Sequence, residues 1–270
     1  MTDSATPSKP TAETMGKAAE AIFAARASGK PIAAISETFA IADAEAAYRV
    51  QELNTQRWLK AGRKISGRKI GLTSKAVQAQ FGIDQPDYGM LWSDGAIEAG
   101  ASVPAGTFMQ PRIEAEIAFI LKKSLPYPNL SMAEMMQAID CALPAIEIVD
   151  SAVADWKIKL ADTIADNASS GGYTLGLSPK TLGEVDLRLC GMIITKDGQA
   201  VSTGLGAACM GHPLNASLWL ARTMARINRP LEAGDIVLSG ALGPMVSVKG
   251  ADRFLVEIQG FAPFYVHFEV

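Results

Sequence analysis

Apolar residues recur at helical spacing in two early stretches, residues 15–23 and 43–58, and each stretch is followed by a glycine that can end a helix. We therefore predict a helical N-terminal extension over residues 13–62. The preceding residues 1–12 are polar and contain two prolines, so we expect them to lack fixed structure.

Short apolar runs separated by Gly, Pro and Asp dominate the chain from Gly67 onwards and predict strands joined by loops. Helices beginning near Ser131 and Pro213 interrupt this body, which we place at residues 63–270. Because the helices come first and the strands later, the pattern favours an α+β fold. The predicted strands lie around residues 112–121, 143–149, 190–196, 235–239 and 253–270.

Composition narrows the possible partners and the compartment. The 270 residues include 25 Lys and Arg against 28 Asp and Glu, and no block of like charge stands out. Nucleic acid and anionic membranes are therefore not expected partners. Three widely separated cysteines predict reduced thiols, and the absence of a leader or membrane-spanning pattern predicts a cytoplasmic protein.

A strictly alternating segment, residues 112–119, gives the first chemical candidates. Alternation places Glu114 and Glu116 on one face of a strand, about 7 Å apart at their α-carbons. Both carboxylates could converge on one hard cation. An ordinary strand with a polar outer face would show the same pattern.

Glu147 interrupts an apolar strand, where a lone ionised carboxylate is costly without a partner. A cation shared with Glu114 and Glu116 would provide that partner. An ion pair with Arg112 would do so equally well, and the residues alone leave both interpretations open.

Lys69 enters an apolar, glycine-flanked strand, where burial could lower its pKa towards the range of a proton-transfer group. A surface lysine is the alternative. Asp87 lies in a segment whose composition predicts a turn over residues 84–89, so it could simply cap that turn.

Two segments rich in small residues, 162–172 and 239–244, are predicted loops whose backbone N–H groups could approach a ligand carboxylate. Simple turns have the same composition. The substrate-binding candidates in these loops are Asn167, Ser169, Ser239 and Gly240.

Six ordered motifs together resemble one enzyme family. The chain resembles the hydratase/decarboxylase branch of the fumarylacetoacetate hydrolase superfamily from about residue 40 to its end. The motifs are Gly67-Arg-Lys-Ile-Gly-Leu-Thr73, Gln85-Pro-Asp-Tyr-Gly89, Gln110-Pro-Arg-Ile-Glu-Ala-Glu-Ile117, Leu143-Pro-Ala-Ile-Glu147, Asp166-Asn-Ala-Ser169 and Gly211-His-Pro-Leu-Asn-Ala216.

This resemblance implies a mixed β-roll or β-sandwich core and homo-oligomers, with pentamers or decamers as the expected forms. It implies Mg²⁺ or Mn²⁺ on Glu114, Glu116 and Glu147, with Lys69 and Asp87 as the candidates for proton transfer and water placement. The implied reaction adds water to a small-molecule substrate, 2-hydroxypenta-2,4-dienoate, giving 4-hydroxy-2-oxopentanoate in the meta-cleavage catabolism of aromatic compounds.

Related activities remain alternatives. Decarboxylation of 4-oxalocrotonate would need the same metal, and Asp87 is the residue that favours hydration over it. Hydration of a longer dicarboxylic 2-oxo-enoate is another candidate. C–C bond hydrolysis lacks an evident His–Glu pair, and a non-catalytic role beside a neighbouring pathway enzyme conflicts with three intact acidic positions.

Overall fold

A computed structural model describes residues 9–74, 78 and 85–269 of the chain. Residues 1–8 of the predicted tail lie outside this range, and Ala12 already belongs to the first helix. The helices are α1 (Ala12–Ser28), α2 (Ile35–Thr38), α3 (Ala44–Lys60), α4 (Met132–Ala138), α5 (Leu160–Ala165) and α6 (Pro213–Arg226). None of the described helices combines the length and apolar character needed to cross a membrane.

Two β-sheets form the body of the protein. The larger sheet has the order β2-β1-β10-β5-β6-β7-β3, with β11 also paired to β5, and the smaller has the order β4-β13-β12-β8-β9. The strands are β1 (Ile65–Gly71), β2 (Asp87–Trp92), β3 (Ala96–Ile97), β4 (Ser102–Val103), β5 (Arg112–Leu121), β6 (Ile139–Val149), β7 (Ser170–Leu175), β8 (Gly191–Lys196), β9 (Gln199–Leu205), β10 (Ile236–Ala241), β11 (Val246–Ser247), β12 (Arg253–Ile258) and β13 (Phe264–Phe268).

The main core lies between these sheets. The β5 face that bears Ile113, Ile117 and Phe119 packs in one cluster with Phe254 and Val256 of β12. Because successive strand residues point to opposite faces, the other face of β5 is left free to form a site. The mixed sheets and the preceding helices confirm the predicted α+β class.

Local signals account for the helix boundaries. The side chain of Asp43 accepts a hydrogen bond from the backbone N–H of Ala46 and caps α3. Ser131 and Glu134 form the expected capping box of α4, and Pro213 occupies the first turn of α6. These helix starts were all predicted.

Two other segments differ from the sequence prediction. Asp87 begins strand β2 rather than belonging to a turn, while Asp84, the first residue of the predicted turn, lies outside the described residues. The segment 162–172, predicted as a loop, contributes to α5 and to β7. Small residues gave a loop-like composition here, but packing against the N-terminal helices and pairing with β6 decide the structure.

The N-terminal helices pack on α5 and are tied to the body by buried polar side chains. Gln51 of α3 is 3% exposed and donates from Nε2 to the carbonyl oxygens of Tyr88 (3.0 Å) and Ile164 (2.9 Å). One side-chain amide thus joins α3 to the start of β2 and to α5.

We expect Gln51→Met to destabilise the fold by about 2–4 kcal/mol, because two buried carbonyl groups would lose their donor. Urea unfolding monitored by circular dichroism measures this change. Gln56→Met on the same helix is the control, since Gln56 is exposed and bonds only to Glu52. Equal stability of the two variants would contradict a bridging role for Gln51.

Candidate metal and active site

One face of the larger sheet brings together charged side chains from four strands. Glu114 of β5 is directly opposite Glu147 of β6, and Lys69 of β1 is aligned with Leu238 of β10, which is aligned with Ala118 of β5. Asp87 of β2 is opposite Gly71 of β1. Since aligned residues of neighbouring strands share a face, all these side chains point to the same side.

Glu114, Glu116 and Glu147 form a compact carboxylate triad. Each contributes one oxygen, and these oxygens all lie within 4.8 Å of one another. Glu116 and Glu147 are completely buried. Glu116 Oε1 and both Glu147 carboxylate oxygens have no hydrogen-bond partner among the described residues. Unpartnered oxygen ligands at this spacing fit a hard divalent cation such as magnesium.

Burial and mutual repulsion disfavour the ionised triad without such a cation. Desolvation, the largest cause, raises the pKa of Glu147 to about 7; Lys69 opposes this rise and Glu114 adds to it. Desolvation also raises the pKa of Glu116 well above its usual value, with further contributions from Glu147 and Glu114. Protons and a cation therefore compete for this triad.

Lys69, not Arg112, provides the ion-pair partner of Glu147. Its Nζ lies 3.1 Å from Glu147 Oε1, in an orientation outside hydrogen-bond geometry, and donates to the carbonyl oxygen of Ala168 at 2.9 Å. Burial lowers the pKa of Lys69, but nearby carboxylates, Glu147 foremost, outweigh burial and raise it above its ordinary value. The predicted lowering was wrong because it considered burial alone. The ion pair with Glu147 and the raised pKa both favour the ammonium form of Lys69.

Asp87 lies beside Lys69 and is 1% exposed. Its Oδ1 has no hydrogen-bond partner among the described residues, and burial raises its pKa while Lys69 opposes that rise. Gly71 makes this position possible, since a Cβ there would lie 2.2 Å from Asp87 Oδ1. A signal for this role of Gly71 was present in the sequence, since a glycine two positions after Lys69 in a strand lies on the same face as Lys69 and leaves room there.

Gly240 fixes one of the carboxylates rather than lying in an open loop. Its backbone N–H donates to Glu116 Oε2 at 2.8 Å. Gly240 has a φ of +107° at a register shift between β10 and β5, and a Cβ there would lie 2.4 Å from Thr73. Ser239 is fully buried and its carbonyl accepts from the Cys209 thiol at 2.8 Å. The substrate-binding roles predicted for Ser239 and Gly240 stay predictions. In the structure the backbone N–H of Gly240 holds a carboxylate of the triad, and the carbonyl of Ser239 holds Cys209.

A left-handed turn, residues 167–169, covers the same face. All three residues have φ between +51° and +58°. The amide of Asn167 donates to the carbonyl of Met90 at 2.9 Å and accepts from the Met90 N–H at 2.7 Å, so it holds β2 in place. Its predicted substrate contact stays a prediction. Ser169 is 3% exposed, and its hydroxyl lies 3.3 Å from that of Thr163.

The N-terminal extension holds this turn through Arg26 of α1. Arg26 Nε and Nη2 donate to the two oxygens of Asp166 at 2.9 and 2.8 Å, and Nη1 donates to Asp150 Oδ2 at 3.2 Å. The carbonyl oxygen of Asp166 accepts from the Ser169 N–H, and that of Ser169 accepts from the Asp150 N–H. Sequence reasoning missed this network because its members are separated by more than 100 positions along the chain.

A cavity of about 90 Å³ opens onto these groups. The polar and charged residues of its lining include Lys69, Asp87, Glu114 and Ser169. The apolar residues of its lining include Leu72, Val149, Trp156, Ile158, Leu160 and Met245. The site can therefore take a small molecule with an anionic or polar head and an apolar body.

The sheet architecture and the buried carboxylate triad define a small-molecule enzyme core with a site for a divalent cation. The chain belongs to the fumarylacetoacetate hydrolase family, since the sequence profile of the fumarylacetoacetate (FAA) hydrolase C-terminal region matches residues 64–268. This match confirms the family resemblance found in the sequence.

Curated relatives are similar over most of the chain. The TodF product hydratase of Pseudomonas putida strain F1 is 54% identical over 90% of this chain and 91% of its own. The 2-keto-4-pentenoate hydratase 2 of Dechloromonas aromatica is 53% identical over 90% and 93%. A solved structure, 4-oxalocrotonate decarboxylase from Pseudomonas putida G7 with magnesium and adipate, is 34% identical with a TM-score of 0.91, covering 96% of this chain and 98% of its own.

We expect affinity for Mg²⁺ or Mn²⁺ to fall as the pH drops below about 7, the raised pKa of Glu147. Each proton that the cation displaces should weaken apparent binding about tenfold per pH unit. Without metal the raised pKa of Glu147 also affects folding: its contribution to stability is fully present below about pH 4.5 and is lost as the pH rises through about 7.

Calorimetric titration at several pH values, with thermal unfolding of the metal-free protein, measures both effects. Glu147→Gln is the matched variant, because it keeps the shape of the side chain and removes its titration. Metal affinity that does not depend on pH between 5.5 and 8 (roughly one unit either side of the raised value) would contradict this view of the triad.

Arg26→Lys should lower turnover about tenfold or more, in addition to destabilising the fold. A lysine retains the charge but cannot bond both Asp166 oxygens and Asp150 together, so the turn that holds Lys69 should loosen. Steady-state kinetics and chemical unfolding of the same preparation measure the two effects separately.

Ser36→Ala provides the comparison. The Ser36 hydroxyl donates to Asp162 Oδ2 at 2.8 Å and so attaches the extension to α5 without contacting the turn. This variant should lose stability but keep its turnover. If Arg26→Lys also kept full turnover in its folded fraction, the extension would have no influence on the site.

Proposed function

We propose that this protein is a metal-dependent hydro-lyase that adds water to 2-hydroxypenta-2,4-dienoate and releases 4-hydroxy-2-oxopentanoate. The observation that best supports the proposal is a carboxylate triad that could hold a metal, next to a cavity lined by Glu114 of that triad, by Lys69 and by the unpartnered carboxylate of Asp87. The two relatives at 53 and 54% identity are hydratases by name, which agrees with this activity.

Glu114, Glu116 and Glu147 would hold the cation, for which Mg²⁺ and Mn²⁺ are the candidates. Bound there, it would supply Lewis-acid stabilisation of negative charge at the 2-oxygen of the substrate. The unpartnered, buried carboxylate oxygens support this assignment. The solved decarboxylase is described with magnesium, which supports the same class of ion.

The reaction adds protons at C5 and C3 of the substrate, and it removes one proton from the 2-hydroxyl group and one from the water that adds at C4. Asp87 is our candidate for accepting the water proton, because its Oδ1 is unpartnered and burial raises its pKa above the ordinary value of an aspartate, which makes it a better base. Lys69, held as an ammonium by Glu147 and the Ala168 carbonyl, would stabilise enolate charge and orient the substrate. Ser169 would contribute a hydroxyl at the cavity wall.

Decarboxylation of 4-oxalocrotonate is the second candidate, favoured by the solved decarboxylase that shares 34% identity and nearly the whole backbone. That reaction needs the same cation but no acceptor for a water proton. Asp87 therefore favours hydration. We also propose that the protein forms a homo-oligomer, either a pentamer or a decamer. The division into a helical extension, residues 13–62, and a catalytic core, residues 63–270, is likewise part of this proposal.

We expect Asp87→Asn to lower the rate of hydration about 100- to 10,000-fold, the usual contribution of a general acid or base. Loss of dienol ultraviolet absorbance, followed with Mg²⁺ or Mn²⁺, measures the reaction. The wild-type protein should act on 2-hydroxypenta-2,4-dienoate faster than on its dicarboxylic analogue or on 4-oxalocrotonate.

Asp94→Asn is the control, since Asp94 follows the same strand but is paired with Arg63 away from the cavity. It should retain full activity. Metal-dependent release of carbon dioxide from 4-oxalocrotonate without hydration of the dienoate would replace the hydratase assignment by the decarboxylase one.

A further inference from the structure

Arg112 is a charged residue that the proposed reaction leaves without a task. Strand periodicity places it on the same face of β5 as Glu114 and Glu116. Its side chain is half-buried, and it forms no ion pair with any carboxylate in the part of the chain that the structure describes.

Two side chains of the cavity wall hold the Arg112 guanidinium. Its Cζ lies 4.3 Å from the centroid of the Trp156 ring, and its Nη1 lies 3.5 Å from Met245 Sδ. Trp156 is itself fixed, because its Nε1 donates to the carbonyl of Gln110 at 3.0 Å. Both Trp156 and Met245 line the cavity that contains Lys69 and Asp87. The guanidinium is therefore next to the cavity, with N–H donors left over.

The excess of negative charge around the cavity suggests a role for the Arg112 guanidinium. Four buried or nearly buried carboxylates, Asp87, Glu114, Glu116 and Glu147, face one lysine. An anionic substrate approaching such a site meets repulsion that a divalent cation removes only in part. The other lysine at the cavity, Lys159, is paired with Glu37 at 3.1 Å.

We propose that Arg112 binds a carboxylate of the substrate at the entrance of the cavity. This inference rests on the proposed function, because it takes a 2-oxo acid as the ligand. The planar fork of arginine matches a carboxylate, and stacking on Trp156 orients the fork in advance. The carboxylate is either the one beside the 2-oxygen or, in a longer substrate, one at the distal end.

The test measures binding of two saturated compounds that cannot be hydrated, 2-oxopentanoate and 2-oxoadipate. Calorimetric titration of the Mg²⁺-loaded protein gives their affinities at low and high salt. Arg112→Gln should weaken binding about 10- to 100-fold, the range for one hydrogen-bonded charged group, and should reduce the salt dependence. Arg112→Lys should recover part of the affinity.

Arg253→Gln is the matched control. Arg253 stacks on Tyr265 at 4.2 Å in the smaller sheet, away from the cavity, so its loss removes an equivalent cation–π contact only. Weaker binding of both compounds by Arg112→Gln would assign Arg112 to the shared carboxylate, and weaker binding of 2-oxoadipate alone would assign it to the distal one. Either result supports the proposal.

Unchanged affinity in Arg112→Gln, or an equal loss in Arg253→Gln, would overturn it. Absence of binding by the wild-type protein would overturn it as well. Binding without hydration of the dienoate would contradict the proposed hydratase reaction alone, because the affinities would still report on Arg112.

Discussion

Repulsion among buried carboxylates is the constraint on which this structure depends. Two carboxylates about 4.8 Å apart repel by roughly 3 kcal/mol even at an effective dielectric constant of ~20. Three such groups share one face of the sheet with Asp87, and among the described residues Lys69 is the one buried cation on that face. The Gly240 N–H relieves one oxygen, but Glu147 keeps two unpartnered oxygens. Either protons or a further cation can relieve this repulsion, and the electrostatics of the triad therefore favour cation binding wherever its carboxylates are ionised.

The same constraint explains why a strained turn lies over the site. Each left-handed residue in 167–169 costs roughly 1–2 kcal/mol, and none of them is glycine. The turn places the Ala168 carbonyl oxygen 2.9 Å from Lys69 Nζ, which donates to it. Asn167 and the Arg26 network offset the strain by fixing the turn to β2 and to α1. The helical extension thus contributes to the active site without contacting its cavity charges.

Sequence reasoning predicted what depends on local periodicity. Alternation in β5 placed Glu114 and Glu116 on one face, and the interruption of an apolar run singled out Glu147. It could not predict that Glu147 is directly opposite Glu114, because strand register depends on pairing across the sheet. For the same reason it placed Asp87 in a turn, and it misjudged the pKa of Lys69, which depends on carboxylates from three other strands.

The backbone cannot separate hydration from decarboxylation, since a decarboxylase with a TM-score of 0.91 shares nearly all of it. The carboxylate triad does not distinguish a hydratase from a decarboxylase either, because both reactions need negative charge stabilised at the same substrate oxygen. The difference must therefore lie in side chains that act on water or on the far end of the substrate. Within the described cavity the candidates are Asp87, with its unpartnered oxygen, and the lining residues Trp156 and Met245, which contact Arg112. In the proposed function these side chains would select the reaction and the substrate, while the buried carboxylates would hold the cation.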